Sequence, residues 1–154
     1  MSKSVQPIPA GHEGLIPHLV CSPCSDAIEF YKKAFGATEI MRLGGPDGRI
    51  GHAELKIAKA KIMLADEFPD IGARGPKSIG GSPVTIHVYV EDVDATVALA
   101  VKAGATIMRP VENKFYGDRG GEILDPYGHR WSIASHIEDL SPEEMELRMG
   151  EMPG

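Results

Sequence analysis

Two histidines, His18 and His87, each stand in a short apolar run just upstream of a helical segment. Imidazole at such a place can ligate a metal, hydrogen-bond a ligand in a cavity or brace the fold, and the sequence leaves all three roles open. Tyr89 follows His87 by two residues, so the two share one face of a strand. His52 and Glu54 have the same spacing, which lets an imidazole and a carboxylate form an acid–base pair. Tyr116 and Arg119 flank a glycine-containing segment, where an aromatic face and a fixed cation can hold a planar or anionic ligand. The candidate ligand-binding set is therefore His18, His52, Glu54, His87, Tyr89, Tyr116 and Arg119. No catalytic residue is assigned.

Other motifs weigh less. Cys21-Ser22-Pro23-Cys24 is a C-x-x-C between a strand and a helix start, the setting that activates thiols in thioredoxin-like enzymes. The equivalent turn later in the chain reads Glu91-Asp92-Val93-Asp94, which argues against redox chemistry. Neither a nucleophile elbow nor a glycine-rich phosphate loop is present. His12 and His129 sit in polar loop contexts and need no special role, and Trp131 reads as core or subunit interface.

What positions these residues is a duplication. Gly36-Ala37-Thr38 recurs 68 residues on as Gly104-Ala105-Thr106, and Glu54 stands 68 residues before Glu122. His18 and His87, like Leu64-Ala65 and Ile133-Ala134, are 69 apart. Constant offset in constant order implies two modules, residues 14–66 and 84–136, joined by a Gly/Pro-rich linker over 67–83 and followed by a tail over 137–154.

Each module reads as strand, helix, then strands. In the first, Leu15–Cys21 is a strand, Ser25 or Asp26 caps a helix with Ile28, Tyr31 and Phe35 on one side, and Gly36 ends it. Thr38–Leu43, Gly51–Ile57 and Lys61–Ala65 are the remaining strands. In the second, Val84–Val90 is a strand, Asp92 or Asp94 opens a helix to about Ala103, and Thr106–Val111, Gly121–Leu124 and Arg130–Ser135 follow. Alternation puts Val84, Ile86, Val88 and Val90 toward the helix and Thr85, His87 and Tyr89 on the opposite face. His and Glu recur on that opposite face in both modules, which points to a lined cavity. The linker is long enough to shape a ligand mouth or cross between subunits, and Ser141-Pro142-Glu143-Glu144 opens a short C-terminal helix.

Composition excludes several classes. The 154 residues carry a net charge of −6, with acids and bases interspersed, so neither a nucleic-acid footprint nor a basic membrane patch is expected. No apolar run approaches the roughly 18–20 residues of a membrane span. Pro7, Pro9 and Gly11 fall where a secretory leader needs its apolar stretch, and two cysteines make no disulfide framework, so a reduced, cytoplasmic protein is expected.

Ala27-Ile28-Glu29-Phe30-Tyr31-Lys32-Lys33-Ala34-Phe35-Gly36 and Asp125-Pro126-Tyr127-Gly128-His129-Arg130-Trp131, set in this duplicated plan, resemble the vicinal oxygen chelate superfamily. That group holds glyoxalase I, bleomycin- and fosfomycin-resistance proteins and extradiol dioxygenases. Val90-Glu91-Asp92-Val93-Asp94, Tyr116-Gly117-Asp118-Arg119 and His136-Ile137-Glu138-Asp139 are similar to its phosphonate-associated, PhnB-like branch. The resemblance spans residues 14–140. It implies an α+β fold of two tandem βαβββ modules, with curved mixed sheets and helices on their outer face. It also implies a homodimer that sequesters a small molecule in a cavity. Metal-using members take His or Glu ligands at positions that fall here on Ile16, Met63, Thr85 and Ser132. None is a good ligand, so no cofactor is expected. His18 and His87 stand two residues beyond two of those positions, on the same face, with His136 and Glu138 nearby. The alternative is therefore a lyase, isomerase or dioxygenase using Zn, Ni, Mn or Fe held by His18 and His87.

Overall fold

The computed structural model describes residues 4–152, which divide into two compact units. One runs through Lys32 and resumes at Gly36–Gly75; the other takes Lys33–Phe35 and everything from Pro76. The first holds β1 (His18–Val20), α1 (Cys24–Phe35), β2 (Thr38–Gly44), β3 (Ile50–Ile57) and β4 (Ala60–Ala65). A single 3-10 turn over Pro69–Ile71 and the one-turn helix α2 (Pro76–Ile79) lie in the connecting segment. The second unit continues with β5 (Thr85–Tyr89), α3 (Val93–Lys102), β6 (Thr106–Asn113), β7 (Asp118–Leu124), β8 (Arg130–His136) and α4 (Pro142–Gly150).

The sheets share one topology. The first has strand order β1-β4-β3-β2 and the second β5-β8-β7-β6, and in each only the outer pair, β1 with β4 or β5 with β8, runs parallel. Two four-stranded mixed sheets with helices are the expected βαβββ architecture.

Alternation builds the cores. In β3, Ala53, Leu55 and Ile57 are buried, as are Ile62 and Leu64 of β4, while α1 buries Cys24, Ala27, Ile28 and Tyr31. In the second unit Ile123, Trp131 and Ile133 form the apolar side, against which α3 packs with Val93, Val97 and Ala100 buried. Trp131 is a core residue: its indole N–H donates to the buried Asp125 carboxylate at 2.9 Å.

Element ends differ from expectation where capping is not local. Neither Ser25 nor Asp26 caps α1; the helix starts after Pro23, and the Cys24 amide donates to the Asp66 carboxylate at the end of β4. Asp66 also accepts from the Ile50 amide at 2.7 Å, tying helix start to sheet end, a partner 42 residues away that no local signal reveals. Gly36 does end the helix in the left-handed conformation. Asp92 caps α3 by accepting from the Ala95 amide, and Ser141 caps α4 through the Glu144 amide. Val84 is exposed and precedes β5 rather than packing under a helix, and Leu15 is fully exposed ahead of a much shorter β1.

Candidate functional site

The register turns the sequence offsets into equivalent rows of side chains. Across the first sheet His18 pairs with Met63, Met63 with Glu54 and Glu54 with Met41. Across the second His87 pairs with Ser132, Ser132 with Glu122 and Glu122 with Arg109. Paired residues project from the same face of a sheet, so each row crosses the face turned away from the core. The histidine and glutamate recur; their neighbours do not.

In the first unit this face carries His18, His52 and Glu54, as the spacing predicts. The His18 and His52 rings lie 6.2 Å apart, and His52 Nε2 is 2.9 Å from Glu54 Oε2. Glu54 is buried, and its other oxygen meets His12 Nε2 at 2.8 Å. Hydrogen bonds from His52 and then His12 outweigh partial burial and hold the Glu54 carboxyl below its ordinary range. Assigned no role from sequence, His12 thus belongs to this cluster. It stands in an aperiodic Pro/Gly segment 42 residues from its partner, and only the three-dimensional fold joins them.

In the second unit His87 Nδ1 lies 2.9 Å from Ser132 Oγ, and its ring packs edge-on to Tyr89 at 4.8 Å. The Tyr89 hydroxyl donates to Asp118 Oδ2 at 2.7 Å, and His136 Nδ1 donates to Asp118 Oδ1 at 2.8 Å. Burial pushes the Asp118 carboxyl up, but the bonds from His136 and Tyr89 more than compensate and set it below the ordinary value. His136, bonded to Asp118 and then Asp139, is raised, and Tyr89, donating to a carboxylate, is raised as well. The central place of Asp118 depends on strand β7 beginning at Asp118, three residues earlier than its apolar pattern indicates.

Beside this network lies a cavity of about 720 Å³. Gly120, Gly121, Ser132 and Ala134 provide its floor, and Phe115, Tyr116 and Met152 line it together with charged groups. The cations are matched one for one: Arg148 to Glu138 at 2.6 Å, Lys114 to Glu112 at 2.8 Å and Arg109 to Glu122 at 3.5 Å. His87 and Tyr89 do not line the cavity, His87 meeting the lining residue Ser132 and Tyr89 meeting Asp118; Tyr116 is placed there. Arg119 is not. It projects to the helix side of β7 and forks onto Asp94 of α3 at 2.8 and 3.0 Å, with a further bond to Asn113.

The donor chemistry of the family's metal positions does not fit a divalent ion. Ile16, Met63, Thr85 and Ser132 offer an alkyl group, a thioether and two hydroxyls where imidazole and carboxylate are needed. Among the described residues no group of three His, Cys, Asp or Glu side chains is arranged to hold a metal. The C-x-x-C pair is equally ill suited to exchange: Cys21 and Cys24 are fully buried, and burial followed by the Asp66 charge pushes the Cys24 thiol up to about 12.

Residues 16–133 match the model of the Glyoxalase/Bleomycin resistance protein/Dioxygenase superfamily. The uncharacterized protein Rv0887c of Mycobacterium tuberculosis is 44% identical over 138 residues, 88% of this chain and 81% of that protein. Arabidopsis thaliana At5g48480 is 33% identical over 129 residues, and its crystal structure aligns with a TM-score of 0.62 over 79% of this chain and 97% of that one. The PhnB protein of Bacillus cereus, at 16% identity, shares the fold with a TM-score of 0.63 over 80% of this chain and 99% of its own. No described helix is long and apolar enough to cross a membrane. Duplicated sheet topology and family match agree: the chain belongs to the glyoxalase/bleomycin-resistance/dioxygenase superfamily.

Proposed function

We propose that the chain binds a small organic molecule in the cavity of its second unit, without metal and without making or breaking a bond. One observation supports this above the rest: a space of about 720 Å³ floored by small residues and walled by Phe115 and Tyr116, within the size range of small-molecule sites. Glycine keeps that floor low. A Cβ at Gly120 would come 3.0 Å from the Ile133 carbonyl oxygen and 3.3 Å from Ala134 Cβ. Because each cation is already matched by a carboxylate, the wall favours a ligand with polar groups and little net charge.

His87 and Ser132 are in the geometry of a base and a nucleophile, so acyl transfer must be weighed. Among the described residues the backbone beside Ser132 offers no oxyanion site. β8 lies between β5 and β7, so the amides around Ser132 are committed to ladders on both sides and none is free to stabilise an oxyanion. Sequestration is the better reading. A homodimer, implied by the family resemblance, belongs to the same proposal, and light scattering would give twice the 16.5 kDa chain mass.

The test is a thermal-shift screen of chelator-treated protein followed by calorimetric titration of the hits. Tyr116→Ala removes a half-exposed ring from the wall and should weaken binding by roughly tenfold, the loss of about 1.4 kcal/mol. Hits insensitive to Tyr116, or binding only when a divalent ion is restored, would overturn the reading.

A further inference from the structure

The two rows treat their glutamates alike in one respect: each has side-chain nitrogen partners. In the second unit Glu122 is ion-paired with guanidinium groups anchored in the sheet, Arg109 Nε at 3.5 Å and Arg130 at 3.9 Å. Of their counterparts around Glu54, Met41 has no side-chain N–H to give, and Lys61 lies with its Nζ 3.5 Å from His12 Nδ1. His52 serves one oxygen of Glu54 from the same strand. The other is served by His12, which belongs to no strand or helix.

The segment that brings His12 there is weakly held elsewhere. Its larger apolar side chains, Val5, Ile8 and Leu15, are 88%, 62% and 100% exposed, so core burial does not fix it. The ring is presented by a tight turn, in which the His12 amide donates to the Pro9 carbonyl at 3.0 Å and His12 Nδ1 meets Ala10 O at 3.2 Å. Gly11, at φ 79°, lies close to Lys61 Nζ, which is itself 3.5 Å from His12 Nδ1. Behind the ring is a buried carboxylate flanked by His18 and His52.

We infer that Glu54 with His52 forms a second binding site, for a planar nitrogen base of the imidazole, amidine or guanidine class, and that His12 is its intramolecular occupant. A ligand of this kind offers an in-plane N–H where His12 Nε2 now stands, at 2.8 Å from Glu54 Oε1. Displacing His12 exposes no apolar side chain of the segment, because those are exposed already. All members of the seat lie in the first unit, whereas the residues lining the cavity all lie in the second.

Imidazole is the probe, titrated at neutral pH into the full chain while backbone amide NMR shifts are followed at His52, Glu54 and Met63. Benzamidine serves as the amidine probe. His12→Ala should bind imidazole at least tenfold more tightly than the unaltered protein, because the internal competitor is gone. Combining it with Glu54→Gln, which keeps shape but removes the charge, should abolish that gain. Amide dispersion in the same spectra reports whether each variant is folded, and Glu54→Ala replaces Glu54→Gln should the latter unfold. Equal affinity with and without His12, or a gain that survives loss of the Glu54 carboxylate, would overturn the inference.

Discussion

Gly117→Ala is the most demanding test of how the cavity wall is built. Gly117 has φ 97°, a conformation that L side chains rarely adopt, and a Cβ there would press directly on the Glu138 carbonyl oxygen. Its own carbonyl accepts from the Ile137 and Glu138 amides at 2.9 and 3.1 Å, fastening the Phe115–Tyr116 wall to the segment after β8. Backbone strain costs about 1–2 kcal/mol. Relieving the clash moves Glu138 and gives up those two bonds, at a net 0.5–1.5 kcal/mol each by the usual magnitude of about 1 kcal/mol. We expect a loss of about 3 kcal/mol, or a melting temperature lower by roughly 6–12 °C for a chain of this length. Gly48→Ala is the control: its φ is 82°, yet nothing lies within 4 Å of the added carbon, so only strain of about 1 kcal/mol applies. Urea unfolding of both variants reads the difference. Equal losses at the two glycines would refute the packing argument, as would full ligand affinity in a Gly117→Ala protein that has lost stability.

The Asp118–His136 pair predicts a stability profile with two limbs. Asp118 is lowered from 3.8, so its contribution is present above that value and is lost as pH falls through the folded value; His136 is raised from 6.5, so its contribution is present below that value and is lost as pH rises through the folded one. Unfolding midpoints of wild type and His136→Gln should differ most between about pH 4 and 6.5 and converge at alkaline pH, and a constant difference would count against the pair. Asp66→Ala strips two buried amides, Cys24 and Ile50, of their acceptor and should cost about 2–4 kcal/mol in chemical denaturation; a change under 0.5 kcal/mol by the same measure, within the range of about ±0.5 for surface sites, contradicts it. Neither Cys21 nor Cys24 should react with an aromatic disulfide reagent at pH 8 until the protein is denatured, given full burial and a Cys24 thiol near 12. Rapid labelling of the native protein would revive the redox reading.

The duplication was legible because it lives in residue order. Offsets between His18 and His87, and between Glu54 and Glu122, become equivalent places in two sheets of one topology. Strand alternation likewise placed His52 with Glu54 and His87 with Tyr89. What escaped the sequence is long-range polar pairing. Asp66 caps a helix 42 residues earlier, His12 reaches Glu54 across the same distance, and neither leaves a periodic trace. Arg119 shows the complementary limit. A cation two residues from a glycine reads as a ligand clamp until β7 is known to start at Asp118, whereupon alternation sends Asp118 to the polar face and Arg119 to α3. A one-residue change of strand phase exchanges the faces.

Amide NMR of chelator-treated protein during a fragment screen tests the central claim most directly. The account predicts ligands whose shifts centre on Gly120, Gly121, Ser132 and Ala134, with Tyr116 and Phe115 responding and no requirement for added metal. Fragments that shift only residues elsewhere, or that bind this face solely after Zn, Ni, Mn or Fe(II) is restored, would contradict it.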